Sequence, residues 1–154
     1  MTDKERHADA ALRVFLDTSV LIASALSDRG TARALTKMIG SGRCDGYVSP
    51  YVLDETRRNL MQKAPAAALE LNGVLAQLSL SLSIPTDALI LQVAQSVEVK
   101  DAPVVAAALA AGVDALVTFD KKHLLNCAPE IEAAFGLAVV DPGVILAWLT
   151  PKLP

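Results

Sequence analysis

Apolar residues fall along this chain in two alternating rhythms. Short runs of β-branched, aromatic or leucine residues stopped by an acid predict strands, and apolar positions three and four apart predict helices. The first run, Val14-Phe15-Leu16 ahead of Asp17, predicts a buried strand over 13–17. Val20, Leu21, Ile22 and Leu26 mark one face of a helix over 18–26, which Asp28-Arg29-Gly30 interrupts. Ala32, Leu35, Met38 and Ile39 mark a second helix over 31–39, closed at Gly40-Ser41-Gly42. Tyr47-Val48-Ser49 predicts a short second strand. Pro50 and Pro65 stand where the first turn of a helix accepts proline. They open helices over 51–63, with Val52, Leu53, Thr56 and Leu60 inward, and over 66–78.

Leu80, Leu82 and Ile84 alternate with polar or small residues, so 79–84 is expected as a third strand. Pro85-Thr86-Asp87 opens a helix to about 95, and 96–99 fits no template. Asp101-Ala102-Pro103 begins a strongly apolar helix that Gly112 closes. A strand over 114–118, a short helix over 120–126, a strand over 137–140 and a helix over 144–149 complete the chain. Apolar strands alternating with helices predict an α/β fold: a three-layer α/β/α sandwich around a mostly parallel sheet. Residues 13–150 are expected as a single domain, with 1–12 as a flexible N-terminal extension.

Composition narrows the class. The 154 residues suffice for one domain, which buries about two-thirds of its extended surface without disulfides or structural metal. A chain 53% hydrophobic and 20% charged is not disordered. Its 26 alanines favour closely packed helices, and only 4% aromatic residues argue against a β-sandwich. The longest stretch without a strongly polar side chain, 102–113, falls short of the roughly 20 residues of a membrane span. The charged first residues resemble no secretory signal. Cys44 and Cys127 form no metal or redox pair. A cytoplasmic protein without a membrane partner is therefore expected. With a net charge of −3 the molecule has no basic footprint, so a polyanion would have to be held by local groups.

The positions of the acids carry the chemistry. Asp17 ends the first strand, Asp54 and Glu55 lie in the helix after the second, Asp101 starts a helix, and Asp120 follows the 114–118 strand. In an open parallel sheet the strand C-termini share one edge, and ligands bind where strand order reverses. Asp is also a favoured N-cap, so each acid taken singly is accounted for by its own helix. Glu55 lies beyond the cap, and consecutive helical residues point about 100° apart, so only one of Asp54 and Glu55 can face a given site. Four carboxylates at one edge repel one another unless a cation holds them together. Only oxygen donors are at hand, which selects Mg²⁺ or Mn²⁺ over Zn²⁺. Such a site is suited to phosphodiester hydrolysis.

Four segments resemble the blocks of a PIN domain: Phe-Leu-Asp-Thr-Ser-Val-Leu-Ile (15–22), Ser-Pro-Tyr-Val-Leu-Asp-Glu-Thr (49–56), Lys-Asp-Ala-Pro-Val-Val-Ala-Ala-Ala (100–108) and Leu-Val-Thr-Phe-Asp-Lys-Lys-His-Leu-Leu (116–125). They are most similar to the PIN-family toxins of bacterial toxin–antitoxin systems, the VapC-like ribonucleases, and the likeness runs over 13–149. The resemblance implies a metal-dependent endoribonuclease acting on single-stranded RNA and restrained by a cognate antitoxin protein. It assigns Asp17, Glu55, Asp101 and Asp120 to metal binding and catalysis, with polar support from Ser19 and Thr118. Two positions depart from the family pattern: Phe119 stands where Gly is usual, and Ser19 where Asn is often found.

Among the basic residues, Arg57, Lys100, Lys121 and Lys122 are candidates for backbone phosphate contacts, against the alternative of a solvated surface. His123 is not assigned as a base. Tyr47, Tyr51 and Trp148 are too dispersed in sequence for a stacking platform, and Trp148 is expected in the core or at an interface. The alanine-rich helices suggest a homo-oligomer. A phosphatase with an Asp nucleophile would need a second acid two residues after Asp17, where Ser19 stands, and a receiver domain would need an acidic pair. The remaining rival is a catalytically silent PIN-like interaction module regulated by a partner protein.

Overall fold

The computed structural model describes residues 11–150. Most of the expected N-terminal extension thus lies outside the described residues, and Leu12 opens the first strand. Five strands are described: β1 (Leu12–Leu16), β2 (Cys44–Val48), β3 (Ser81–Leu82), β4 (Ala115–Val117) and β5 (Ala138–Val140). They form one parallel sheet in the order β3-β2-β1-β4-β5. Eight α-helices connect and follow them: α1 (Thr18–Leu26), α2 (Thr31–Gly40), α3 (Pro50–Lys63), α4 (Pro65–Gln77), α5 (Asp87–Val93), α6 (Ala102–Ala111), α7 (Ala128–Phe135) and α8 (Pro142–Leu149). This is the expected α/β fold with helices flanking a central sheet.

Right-handed crossovers fix the layers. The chain moves outward from β1 through β2 to β3, which places α1 to α4 on one face. It then returns past β1 to β4 and β5, which places α5 to α7 on the other. The helix contacts agree: α1 packs on α3 and α4, α5 on α6, and α8 returns to α2. Strand order therefore reverses between β1 and β4, which pair directly, Leu16 opposite Val117.

The core follows from composition. Val14, Phe15 and Leu16 of β1 and all of β4 are fully buried, as a central parallel strand covered on both faces must be. Helix α6 contacts β1, β2 and β4, and Val105, Ala106, Ala107 and Ala108 are without solvent exposure. Alanine methyls let this helix lie close on the sheet.

Some elements depart from the hydrophobic pattern. β2 begins at Cys44, three residues before the Tyr47 run, because Cys44, Asp45 and Gly46 pair in register with Leu12, Arg13 and Val14. Gly46 fits there without displacing its neighbours, since a Cβ would lie 2.6 Å from Leu80 Cδ2 and 3.0 Å from Ile39 Cγ2. β3 keeps two residues of the alternating stretch, paired with Tyr47 and Val48 at the sheet edge. The helix expected over 120–126 is instead a set of turns followed by a 3₁₀ turn, Leu125–Cys127. The Asp120 carboxylate accepts from the His123 N–H, and its carbonyl is shared between Leu124 N at 3.3 Å and Leu125 N at 2.8 Å. Lys121 O then accepts from Asn126 N, five residues on, so the α-helical register is not continued. Helix α7 was not anticipated. It buries Ile131 alone, too little to register as periodicity, although Pro129 in its first turn and Gly136 at φ +69° beyond its end punctuate it.

Candidate active site

Asp17 is the residue after β1, and its N–H still donates to Val117 O at 3.0 Å. Thr118 follows β4, so the two chain segments leave the sheet side by side at the reversal point. Thr118 Oγ1 donates to Asp17 Oδ2 at 2.7 Å, and Ser19 Oγ donates to the same oxygen at 3.0 Å. Each hydroxyl has one proton, so both are committed to the carboxylate, and the 3.3 Å contact between the two hydroxyls carries none. Their lone pairs are used in turn: Phe119 N–H donates to Ser19 Oγ at 2.9 Å, and Asp120 N–H to Thr118 Oγ1 at 3.0 Å. Two backbone amides thus orient two hydroxyls, which orient one carboxylate. Both donors reach Oδ2, which leaves Oδ1 of Asp17 to take a ligand.

Capping does not explain Asp17 or Asp101. Asp17 and Asp101 occupy the N-cap positions of α1 and α6, yet neither side chain accepts a cap hydrogen bond. Ser49, Thr86 and Asp141 do cap, accepting from Val52, Leu89 and Val144. Asp17 is also buried, where a carboxylate is retained only with partners.

All four sequence-predicted acids line one pocket of about 380 Å³. Asp17 comes from the end of β1, Glu55 from α3, Asp101 from the start of α6 and Asp120 from the segment after β4. Thr18, Ser19, Tyr51, Asn59 and Lys100 complete its polar wall. Glu55 Oε2 accepts from Thr18 Oγ1 at 3.3 Å. Tyr51, Glu55 and Asn59 are four residues apart, so one face of α3 supplies three wall residues. That spacing was the available signal for Tyr51 and Asn59, and adjacency to Asp17 was the signal for Thr18. Thr118 supports Asp17 from behind the wall. Arg57, Lys121 and Lys122 are exposed and lie outside the lining.

The pocket field is negative. Burial raises the Asp101 carboxyl above its ordinary range; His123 and Lys100 oppose the rise, and Asp120 and Glu98 add to it. The Tyr51 hydroxyl is raised by burial and then by Glu55, with Arg58 opposing and Asp101 and Asp17 adding.

A second cluster adjoins the pocket. Among the described residues, the group of potential metal ligands within 4.8 Å of one another is Glu98, Asp101 and His123; no three of the four pocket acids come that close. Lys100 Nζ lies 2.9 Å from His123 Nε2. Lysine can only donate, so Nε2 is the acceptor and Nδ1 carries the ring proton, facing Glu98 Oε2 at 3.3 Å. With an ammonium on one side of the ring, this trio suits a hydrogen-bonded relay better than a dication. The pocket offers carboxylate oxygens: among the described residues both donors to Asp17 reach Oδ2, and a hydrated Mg²⁺ needs only one or two direct carboxylates.

The family model of the PIN domain matches residues 13–122. The chain belongs to the PIN-domain family. No curated protein sequence matches it. Among solved structures it is similar to PAE2754 from Pyrobaculum aerophilum, at 22% identity and TM-score 0.61, covering 97% of this chain and 98% of that one. It is also similar to VapBC2 from Rickettsia felis bound to a promoter DNA fragment, at 15% identity and TM-score 0.62, covering 83% and 97%. A third is VapC20 of Mycobacterium tuberculosis, a toxin that cleaves the sarcin–ricin loop, at 18% identity and TM-score 0.53, covering 79% and 94%. At these identities the likeness is one of fold.

Proposed function

We propose that this protein is a Mg²⁺- or Mn²⁺-dependent endoribonuclease that cleaves single-stranded RNA, and that it is the toxin of a toxin–antitoxin pair. The observation that carries the reading is the shared pocket at the strand-order reversal, lined by Asp17, Glu55, Asp101 and Asp120. Membership of the PIN-domain family supports it, as do fold relatives described as an RNA-loop-cleaving toxin and as a VapBC complex. Asp17, Glu55, Asp101 and Asp120 would hold the metal, directly or through its bound waters. When bound, the dication supplies water activation and neutralises charge developing on the phosphate. Ser19 and Thr118 keep Asp17 in one orientation, so no carboxylate reorganisation is needed when substrate arrives. Lys100 at the rim offers the phosphate backbone a point charge, with Arg57, Lys121 and Lys122 contributing further along the strand.

The assignment places the protein in the cytoplasm with a cognate antitoxin, and with itself as a homo-oligomer. Among the described residues no helix is long and apolar enough to cross a membrane. Leu26, Met61, Leu69, Leu91 and Trp148 are exposed apolar residues on helices and provide surface for such contacts; Trp148 is not in the core. The test is incubation with single-stranded RNA in Mg²⁺ or Mn²⁺, with EDTA and Asp17→Asn as controls. Metal-dependent cleavage that Asp17→Asn abolishes supports the reading; cleavage that survives the substitution, or none in the wild type, refutes it. RNA affinity is expected to fall in EDTA, because the acidic molecule binds the backbone poorly without a bridging cation.

A further inference from the structure

Two partly exposed aromatic residues belong to chain segments that meet at the pocket, Tyr51 in its lining and Phe119 next to Asp120 in sequence. Tyr51, 43% exposed, lines the pocket from the first turn of α3, one turn ahead of Glu55. Phe119, 38% exposed, stands between Thr118 and Asp120, and its N–H donates to Ser19 of the pocket wall. Phe119 follows β4, and Tyr51 follows β2. These strands flank β1 on opposite sides, so the segments that carry the two aromatics leave the sheet about two strand spacings apart, roughly 10 Å. Asp17, at the end of β1, lies between them. The Tyr51 hydroxyl makes no hydrogen bond to the described residues and faces carboxylates, which favours a role for its ring. Phe119, next to Asp120 in sequence, leaves more than a third of its surface to solvent in a chain with only three phenylalanines.

We propose that Tyr51 and Phe119 are substrate-positioning residues that stack on nucleobases either side of the phosphate bound at the acids. Stacking is tolerant of base identity and needs unpaired bases, so the pair would make the pocket select single-stranded RNA without reading its sequence. It also supplies what the acidic wall lacks, an attraction for the nucleic acid that does not depend on positive charge. This inference rests on the reading of the pocket as an RNA-cleaving site.

A short single-stranded oligoribonucleotide carrying 2-aminopurine, titrated with the protein in Ca²⁺, reads stacking through fluorescence quenching. The wild type is expected to quench it saturably. Tyr51→Leu and Phe119→Leu should each weaken binding by about 5- to 150-fold and lose part of the quench, the range of one base–aromatic stack. Tyr51→Phe should retain both, since the ring and not the hydroxyl is used. Both positions are exposed, and circular dichroism melts should match the wild type. Unchanged affinity in the leucine variants overturns the proposal, as does a loss in Tyr51→Phe equal to that in Tyr51→Leu. Cleavage in Mg²⁺, assayed alongside, separates the two readings. Cleavage with unaffected leucine variants sinks the aromatic pair alone. Quenching that depends on both rings, without cleavage, upholds the pair and sinks the nuclease.

Discussion

Replacing Thr118 by valine keeps the shape of a fully buried side chain and removes one hydroxyl. That hydroxyl donates to Asp17 Oδ2 at 2.7 Å and accepts from Asp120 N at 3.0 Å. A hydrogen bond to a charged group contributes about 1.5–3 kcal/mol, and a neutral one about 0.5–1.5 kcal/mol. Ser19 continues to donate to Asp17, and water at the pocket edge offsets part of the loss, so Thr118→Val should destabilise by about 2–4 kcal/mol. In a chain of this size that lowers Tm by roughly 5–15 °C. Activity should fall further than stability alone accounts for. Under the proposed metal-dependent reading, loosening Asp17 costs about 10- to 100-fold in turnover or metal affinity well below the melting range. Thr118→Ser is the control, since it keeps the hydroxyl and loses only a methyl. Calorimetry and RNA-cleavage rates at 25 °C would check both. If Thr118→Val melts with the wild type, or if serine is as damaging as valine, the hydroxyl relay does not hold Asp17.

Two other substitutions probe the frame and the field. Gly46→Ala should destabilise by about 1–3 kcal/mol, because the new methyl is driven into Leu80 and the buried Ile39; a denaturation midpoint equal to the wild type would contradict the close approach. Asp101→Asn, studied without divalent metal, should raise Tm at neutral pH, since burial lifts the Asp101 carboxyl above its ordinary value. The folded state binds this proton more tightly than the unfolded one. Its contribution to stability is therefore full below the unfolded carboxylate pKa and is lost as pH rises through the folded one. The advantage of Asn should accordingly disappear on acidification below the ordinary Asp range, and an advantage that persists there would refute the sign.

The parts of the fold legible in the sequence are those where local pattern and tertiary environment agree. Val14-Phe15-Leu16 reads as a central strand because both its faces are covered, and Pro50 and Pro65 mark helix starts by their own stereochemistry. The segment 44–46 was illegible because Cys-Asp-Gly has no strand preference; pairing with β1 and the space beneath Leu80 impose it. Helix α7 was missed because Ile131 is its only fully buried residue, with Ala128 and Phe135 packed on the core at its two ends. Asp17 and Asp120 were legible by position after strands, Glu55 and Asp101 by position early in helices, and Ser19 and Thr118 through the family resemblance. Other contacts were not: Thr18 reaching Glu55, and the relay from Lys100 through His123 to Glu98, depend on side-chain directions across elements. Tyr51 and Asn59 were within reach, because helical spacing places them with Glu55.

The bond from Thr118 to Asp17 closes a span of 101 residues. A chain still emerging from the ribosome, with β4 inside the exit tunnel, has one half of its pocket and no hydroxyl from the other. Whatever chemistry the assembled carboxylates perform is therefore withheld throughout most of synthesis and begins only when the second half docks. The order of strands thus sets the moment at which the pocket is completed.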